Sequence, residues 1–93
     1  MADVEVHAAS PAHGRVQTLT VRMKNTAPRT IDRETALRLL QDGHSLIVYA
    51  GHGSHAARGR SIVRVEVGED FFLRTDTSPE AEDHIDFPAE SHH

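Results

Sequence analysis

One stretch of the chain carries a complete set of helix signals, and its isolation constrains the fold more than any other feature. IDRETALRLLQDG, residues 31–43, repeats its apolar residues at helical spacing. Asp32 is a good N-cap, because its carboxylate accepts from the free backbone N–H groups of the first turn. Ile31 just before it is placed to staple onto Ala36. Ala36, Leu37 and Leu40 share one face with Leu39 at its edge, while Arg33, Glu34, Arg38 and Gln41 point outward. Gly43 supplies the left-handed position that ends the helix. A lone helix with one apolar face calls for a sheet beneath it.

The remaining periodic segments read as strands. VQTLTVRM, 16–23, alternates Leu19, Val21 and Met23 against Thr18, Thr20 and Arg22, the period of a half-buried strand. SLIVYA, 45–50, is an almost continuous apolar run of strand length, suited to a central strand with both faces covered. SIVRVEV, 61–67, sets Val63, Val65 and Val67 on one face and Arg64 and Glu66 on the other. Gly68-Glu69-Asp70 makes a tight turn, and FFLRT, 71–75, returns as its hairpin partner. Beyond Thr75 the chain turns acidic, with Ile85 and Phe87 as apolar anchors for the tail. Arg74, the sole base in that acidic third, is placed to pair with Asp76, Asp83 or Asp86 and fix it. Residues 1–14 show no sustained period and read as a flexible arm, and 89–93 as a flexible tail. The expected fold is α+β: one small domain over residues 15–88, order β-α-β-β-β, with one helix packed on a small, mainly antiparallel sheet.

Composition excludes several classes. Ninety-three residues make one domain at most. A chain of this size buries only roughly 60–65% of the surface its unfolded form exposes, which leaves few residues for a deep cleft. No apolar run approaches the roughly 18 residues of a membrane helix, so no membrane partner is expected. The N-terminus has no apolar core of a signal peptide, and there is no cysteine. Disulfides, thiolate metal sites and cysteine nucleophiles are therefore excluded, and a cytoplasmic location is expected. The net charge of −4 is divided. Residues 1–65 hold nine Lys/Arg against five Asp/Glu, and residues 66–93 hold one against nine. An acidic C-terminal segment lying on or near the basic half is the expected result.

The glycine-rich segment behind the 45–50 strand, GHGSHAARGR, is where chemistry would sit. Gly51-His52-Gly53-Ser54-His55-Ala56 satisfies G-x-G-x-x-G/A formally, but that fingerprint needs a helix to begin there and hold a pyrophosphate. Five residues before the next strand cannot supply a crossover helix of ten or more. LIVYAGHGS resembles the histidine strand of caspase-like peptidases, with His52 matching the base, yet no cysteine exists for it to activate. His52-x-x-His55 offers two imidazoles to a metal ion, and Asp76 or Asp83 would have to complete the set. Arg58, Arg60 and Arg64 offer contacts to an anion or to nucleic acid, though no aromatic interleaves them for base stacking and the net charge is negative, so nucleic acid is disfavoured.

A longer pattern covers roughly residues 17–88. A first strand precedes Ile31-Asp32 and Ala36, then Leu39-Leu40 with Gly43, a strand hairpin, Phe72-Leu73-Arg74-Thr75-Asp76 and a terminal Asp83-His84-Ile85-Asp86-Phe87-Pro88. This resembles a family of short bacterial proteins classed as a domain of unknown function. In that family a Tyr-Leu-x-Thr segment precedes an Asp-Asn-Leu and then a Leu-Pro pair. His84 stands where the family tends to have Asn. The resemblance implies the domain limits and a bacterial cytosolic setting, and brings no catalytic residues.

The sequence thus leads to a non-enzymatic binding or adaptor module without a cofactor. Its expected contacts with an unidentified protein partner run through the 51–60 loop and the sheet, at His52, His55, Arg58, Arg60 and Arg64. The rival is a metal-binding protein or metal-assisted hydrolase using His52 and His55. A third reading is weak anion or nucleic-acid binding through Arg58, Arg60 and Arg64. A homodimer paired through an exposed strand edge also suits so small a sheet.

Overall fold

The computed structural model describes residues 3–23, 25–51 and 56–88. Its helix, α1 (Arg33–Gln41), begins and ends where its residues dictate. The Thr35 backbone N–H donates to Asp32 Oδ1 at 2.8 Å, and hydrogen bonding from the Thr35 side chain and backbone holds the Asp32 carboxyl below its ordinary value. At the other end Gly43 takes φ 92°, its N–H donates to Leu40 O, and the His44 N–H donates to Leu39 O. These are the two bonds of a Schellman motif, which satisfies carbonyls the last turn leaves free.

Around this helix the chain is mostly strand: β1 (Asp3–Ser10), β2 (His13–Gly14), β3 (Thr18–Met23), β4 (Arg29–Asp32), β5 (Ser45–Ala50), β6 (Ala57–Val67), β7 (Asp70–Arg74) and β8 (Asp83–His84). They form one sheet in the order β2-β8-β7-β6-β5-β1-β3-β4. The pairings are mainly antiparallel; β1 with β5 and β7 with β8 are parallel. The expected architecture of one helix with a mainly antiparallel sheet holds, but the order is not β-α-β-β-β. Four strands precede the helix.

The largest departure is at the N-terminus. Residues 3–10, expected within a flexible arm, are an interior strand between β3 and β5. Val4 and Val6 lie fully inside the core, and burying each is worth about 1.5–3 kcal/mol, which adds to the ladders that β1 makes with strands on both sides. The alternation is short because a bulge between Val6 and Ala8 interrupts it. The second departure is the length of β6. It begins at Ala57, so Arg58 and Arg60 lie on a strand and not on a loop. Residues 57–62 of β6 pair with β5, whereas 63–67 pair with β7. Gly59 is required there by close approach: a Cβ would stand 2.5 Å from Val48 Cγ2 and 2.9 Å from Pro88 Cδ.

Leu46, Ile47 and Val48 of β5 are all buried, as a central strand covered on both faces demands. The core gathers Val4, Val6, Leu19, Val21, Leu46, Val48, Ile62, Leu73 and Ile85 with Ala36 of the helix. Val4 pairs with Leu46 and Leu46 with Ile62, so these three form one lateral row across the sheet. Ile85 is buried and Phe87 packs partly against the core, as expected of the tail anchors. Among the described residues no helix is long and apolar enough to cross a membrane.

Candidate functional site

The acidic C-terminal segment returns to the sheet through one buried carboxylate. Asp83 is 0% exposed. Its Oδ2 accepts from Val16 N at 2.8 Å and Arg33 Nε at 2.8 Å; its Oδ1 accepts from Leu73 N at 2.9 Å and Arg33 Nη2 at 3.0 Å. Arg33 Nη2 also donates to Phe71 O at 2.7 Å. Burial pushes the Asp83 carboxyl up, but the Arg33 guanidinium and the Leu73 and Val16 N–H groups outweigh it and hold it below its ordinary value. The fork of an arginine matches two carboxylate oxygens, so the pair fixes orientation as well as charge. Arg33, expected to point outward from the helix, is instead turned into this pair.

Arg74 is buried beside it, 2% exposed, and binds Asp76 through Nε at 2.6 Å and Nη2 at 3.1 Å. Its Nη1 donates to Glu82 O at 3.0 Å. Hydrogen bonding to Asp76 raises the Arg74 guanidinium above its ordinary value and lowers the Asp76 carboxyl. Of the three partners considered for Arg74, Asp76 is the one used. Asp83 and Asp76 are both consumed by arginines, so neither is free to complete a metal set with His52 and His55, which lie outside the described residues. Every buried side-chain nitrogen and oxygen among the described residues has a hydrogen-bond partner.

This framework holds a group of different chemistry, two exposed residues and one half-buried. His84 lies between buried Asp83 and buried Ile85, and it pairs across the ladder with His13 of β2. The two rings stack with centroids 4.3 Å apart and 11° between their planes. Both reach Asp86: His84 Nε2 at 3.0 Å from Oδ2, and His13 Nε2 at 3.5 Å from Oδ1. The backbone beneath is fixed, since Ile85 N donates to Ala12 O and Asp86 N to Thr75 Oγ1. Next to Asp86 a hollow of about 430 Å³ opens, lined by Gly59, Arg60, Asp86, Phe87 and Pro88.

The three arginines expected as one contact group occupy separate neighbourhoods. Arg58 pairs with Tyr49 in the ladder, Arg60 lines the hollow, and Arg64 lies 4.4 Å over the Phe71 ring. Arg60 alone meets the histidine flank. The His13–His84–Asp86 group was not singled out from sequence, because 71 positions separate the two histidines and nothing local links them. No family model matches the chain, and no curated protein or solved structure matches it.

Proposed function

We propose that this chain is a small, non-enzymatic binding module for a protein partner, with its contact surface on the flank formed by His13, Arg60, Asp86, Phe87 and Pro88. One observation carries the reading: a buried polar network is spent on positioning one exposed residue, Asp86, and the half-buried Phe87 and Pro88 beside it. Asp83 and Arg74 lose nearly all their water to hold residues 83–88 in one place. Buried ion pairs contribute little net stability compared with apolar packing, and their best-attested use is to select one arrangement. What is selected here is a fixed presentation of a carboxylate, an aromatic ring and a proline beside a guanidinium. Pre-ordering those groups removes part of the entropy cost of association. The reading keeps Arg60 from the expected contact set and moves the centre of the surface from the 51–60 segment to the C-terminal flank.

A photo-cross-linking amino acid placed at position 60 tests this in the native host. A discrete adduct is expected from position 60 and lost when Phe87→Asp is added. The same reporter at Arg38, on the outer side of α1, should give none. Equal capture from both positions, or none from position 60, refutes the contact surface.

A further inference from the structure

We infer that His13, His84 and Asp86 form a binding site for a first-row divalent cation of the zinc type. The inference deepens the contact-surface reading, on which it rests for its place in the molecule, and it names a ligand for that flank. The donor atoms of the three residues all lie within 4.8 Å of one another. Zinc is held by histidine nitrogen and carboxylate oxygen at about 2.0–2.2 Å, which sets the donors of a tetrahedral site about 3.3–3.6 Å apart. Of the observed separations, 3.5 Å from His13 Nε2 to Asp86 Oδ1 falls within that spacing, and 3.0 Å from His84 Nε2 to Asp86 Oδ2 falls a few tenths of an ångström short of it. Two imidazoles and one carboxylate are a donor set that selects zinc, cobalt, nickel or copper over magnesium and calcium, which prefer oxygen alone.

The scaffold favours such a site in two ways. His84 and Asp86 alternate with buried Asp83 and Ile85, so both donors emerge on one side of a pinned backbone. His13 is brought opposite His84 by the β2–β8 ladder, so the ion would bridge the two outermost strands on that edge. One movement is needed. Nearly parallel stacked rings cannot both aim a lone pair at a common point, so one ring must turn out of the stack. His13, with a side chain 60% exposed, has the space to change rotamer, whereas His84 is 29% exposed. Three protein donors leave a fourth position open to water or to a group from a partner. This set differs from the His52 and His55 pair considered from sequence. It draws on strands 71 residues apart and includes the carboxylate that pair lacks.

Zinc alone is the probe. Calorimetric titration of untagged chain carrying His52→Ala, His55→Ala, His92→Ala and His93→Ala leaves His13 and His84 with the two remaining histidines, His7 and His44. About one zinc per chain is expected, with no comparable heat from magnesium. His13→Ala, His84→Ala and Asp86→Asn should each weaken binding by at least about tenfold, the scale on which even outer partners of a metal act. His7→Ala and His44→Ala should leave it unchanged. The His13 and His84 ring resonances should shift together on addition of zinc, and far-ultraviolet circular dichroism should show each variant folded. Absence of binding in the four-alanine chain, or full affinity in folded His84→Ala, overturns the site. The two readings fail separately. Lost zinc binding with an intact adduct from position 60 removes the ion and leaves the contact surface, and zinc binding without an adduct does the reverse.

Discussion

Around β1 and β5 the contacts are aliphatic: Val4, Val6, Leu46 and Val48 meet under Ala36 and the helix leucines, and any residue of similar volume would bury comparable surface. Around β7 and β8 the same sheet is held by charge. There Asp83 accepts four hydrogen bonds from three parts of the chain, and Arg74 carries the turn through Asp76 and Glu82. The difference lies in what each region tolerates. Apolar packing is non-directional and degrades in proportion to the atoms removed. A buried bidentate pair accepts one geometry, and removing either partner strands the other away from water. The first region makes the fold stable, and the second decides where residues 83–88 lie.

That contrast can be broken most forcefully at Asp83. Asp83→Ala should cost about 3 kcal/mol in urea unfolding, because the part-buried Arg33 and the buried Val16 and Leu73 N–H groups all lose their acceptor. Replacing both members, Arg33→Met with Asp83→Leu, should recover part of the loss. The recovery stays partial, because the Val16 and Leu73 N–H groups lose their acceptor. A double variant no better than Asp83→Ala alone would show that the charge pair is not what holds the clasp. The pH response gives the same test a sign. The folded Asp83 and Asp76 carboxyls lie below their ordinary values. Their stabilisation is therefore present above about pH 4 and is lost as pH falls through the folded values. Asp83→Asn should flatten that acid slope while lowering stability at neutral pH. An unchanged slope contradicts the assignment.

A smaller effect sits where the two regions touch. Gly59→Ala would set a methyl group against Val48 of the apolar seam and Pro88 of the tail at once. Overpacking of this kind costs about 1–3 kcal/mol. The expected readout is a lower urea midpoint together with faster amide exchange at Phe87, and exchange unchanged there would uncouple tail from strand. The smallest effect belongs to the helix. Asp32→Ala removes the cap that accepts from Thr35 and should cost about 1 kcal/mol, with no change at residues 83–88. A cap variant that loosened the tail would mean the regions are less separate than drawn.

What the sequence makes legible follows the same division. Local, periodic features read correctly: the Asp32 cap, the Gly43 stop and the 45–50 strand stand as their residues imply, and the strand expected over 16–23 forms over 18–23. Segments with too few apolar residues to show a period did not read as strands. β1 offers Val4 and Val6 before its bulge, and β2 and β8 are two residues each. Gly59 resembles a turn glycine in sequence, and only the packing of Val48 and Pro88 reveals that its role is the absence of a side chain. The candidate site was less legible than the fold. Asp83 suggested an exposed partner for Arg74, but its arginine lies 50 positions away, and His13 stood in a stretch that composition assigned to a mobile arm. Arg58, Arg60 and Arg64 are close in sequence, yet the strand carries them to three different neighbours.

The Asp83 pair also orders events in time. Its donors sit at positions 16, 33 and 73, all ahead of the acceptor in the chain. A nascent chain can close the β1–β5 seam and the β6–β7 hairpin while those three donors still face water. The contacts from Arg33 and Val16 to the Asp83 carboxylate span 50 and 67 positions against ten for Leu73, so they close the larger loops and carry the larger loop entropy. Synthesis halted just short of Asp83 would release a chain that lacks this acceptor and, with it, the buried Ile85 of the core.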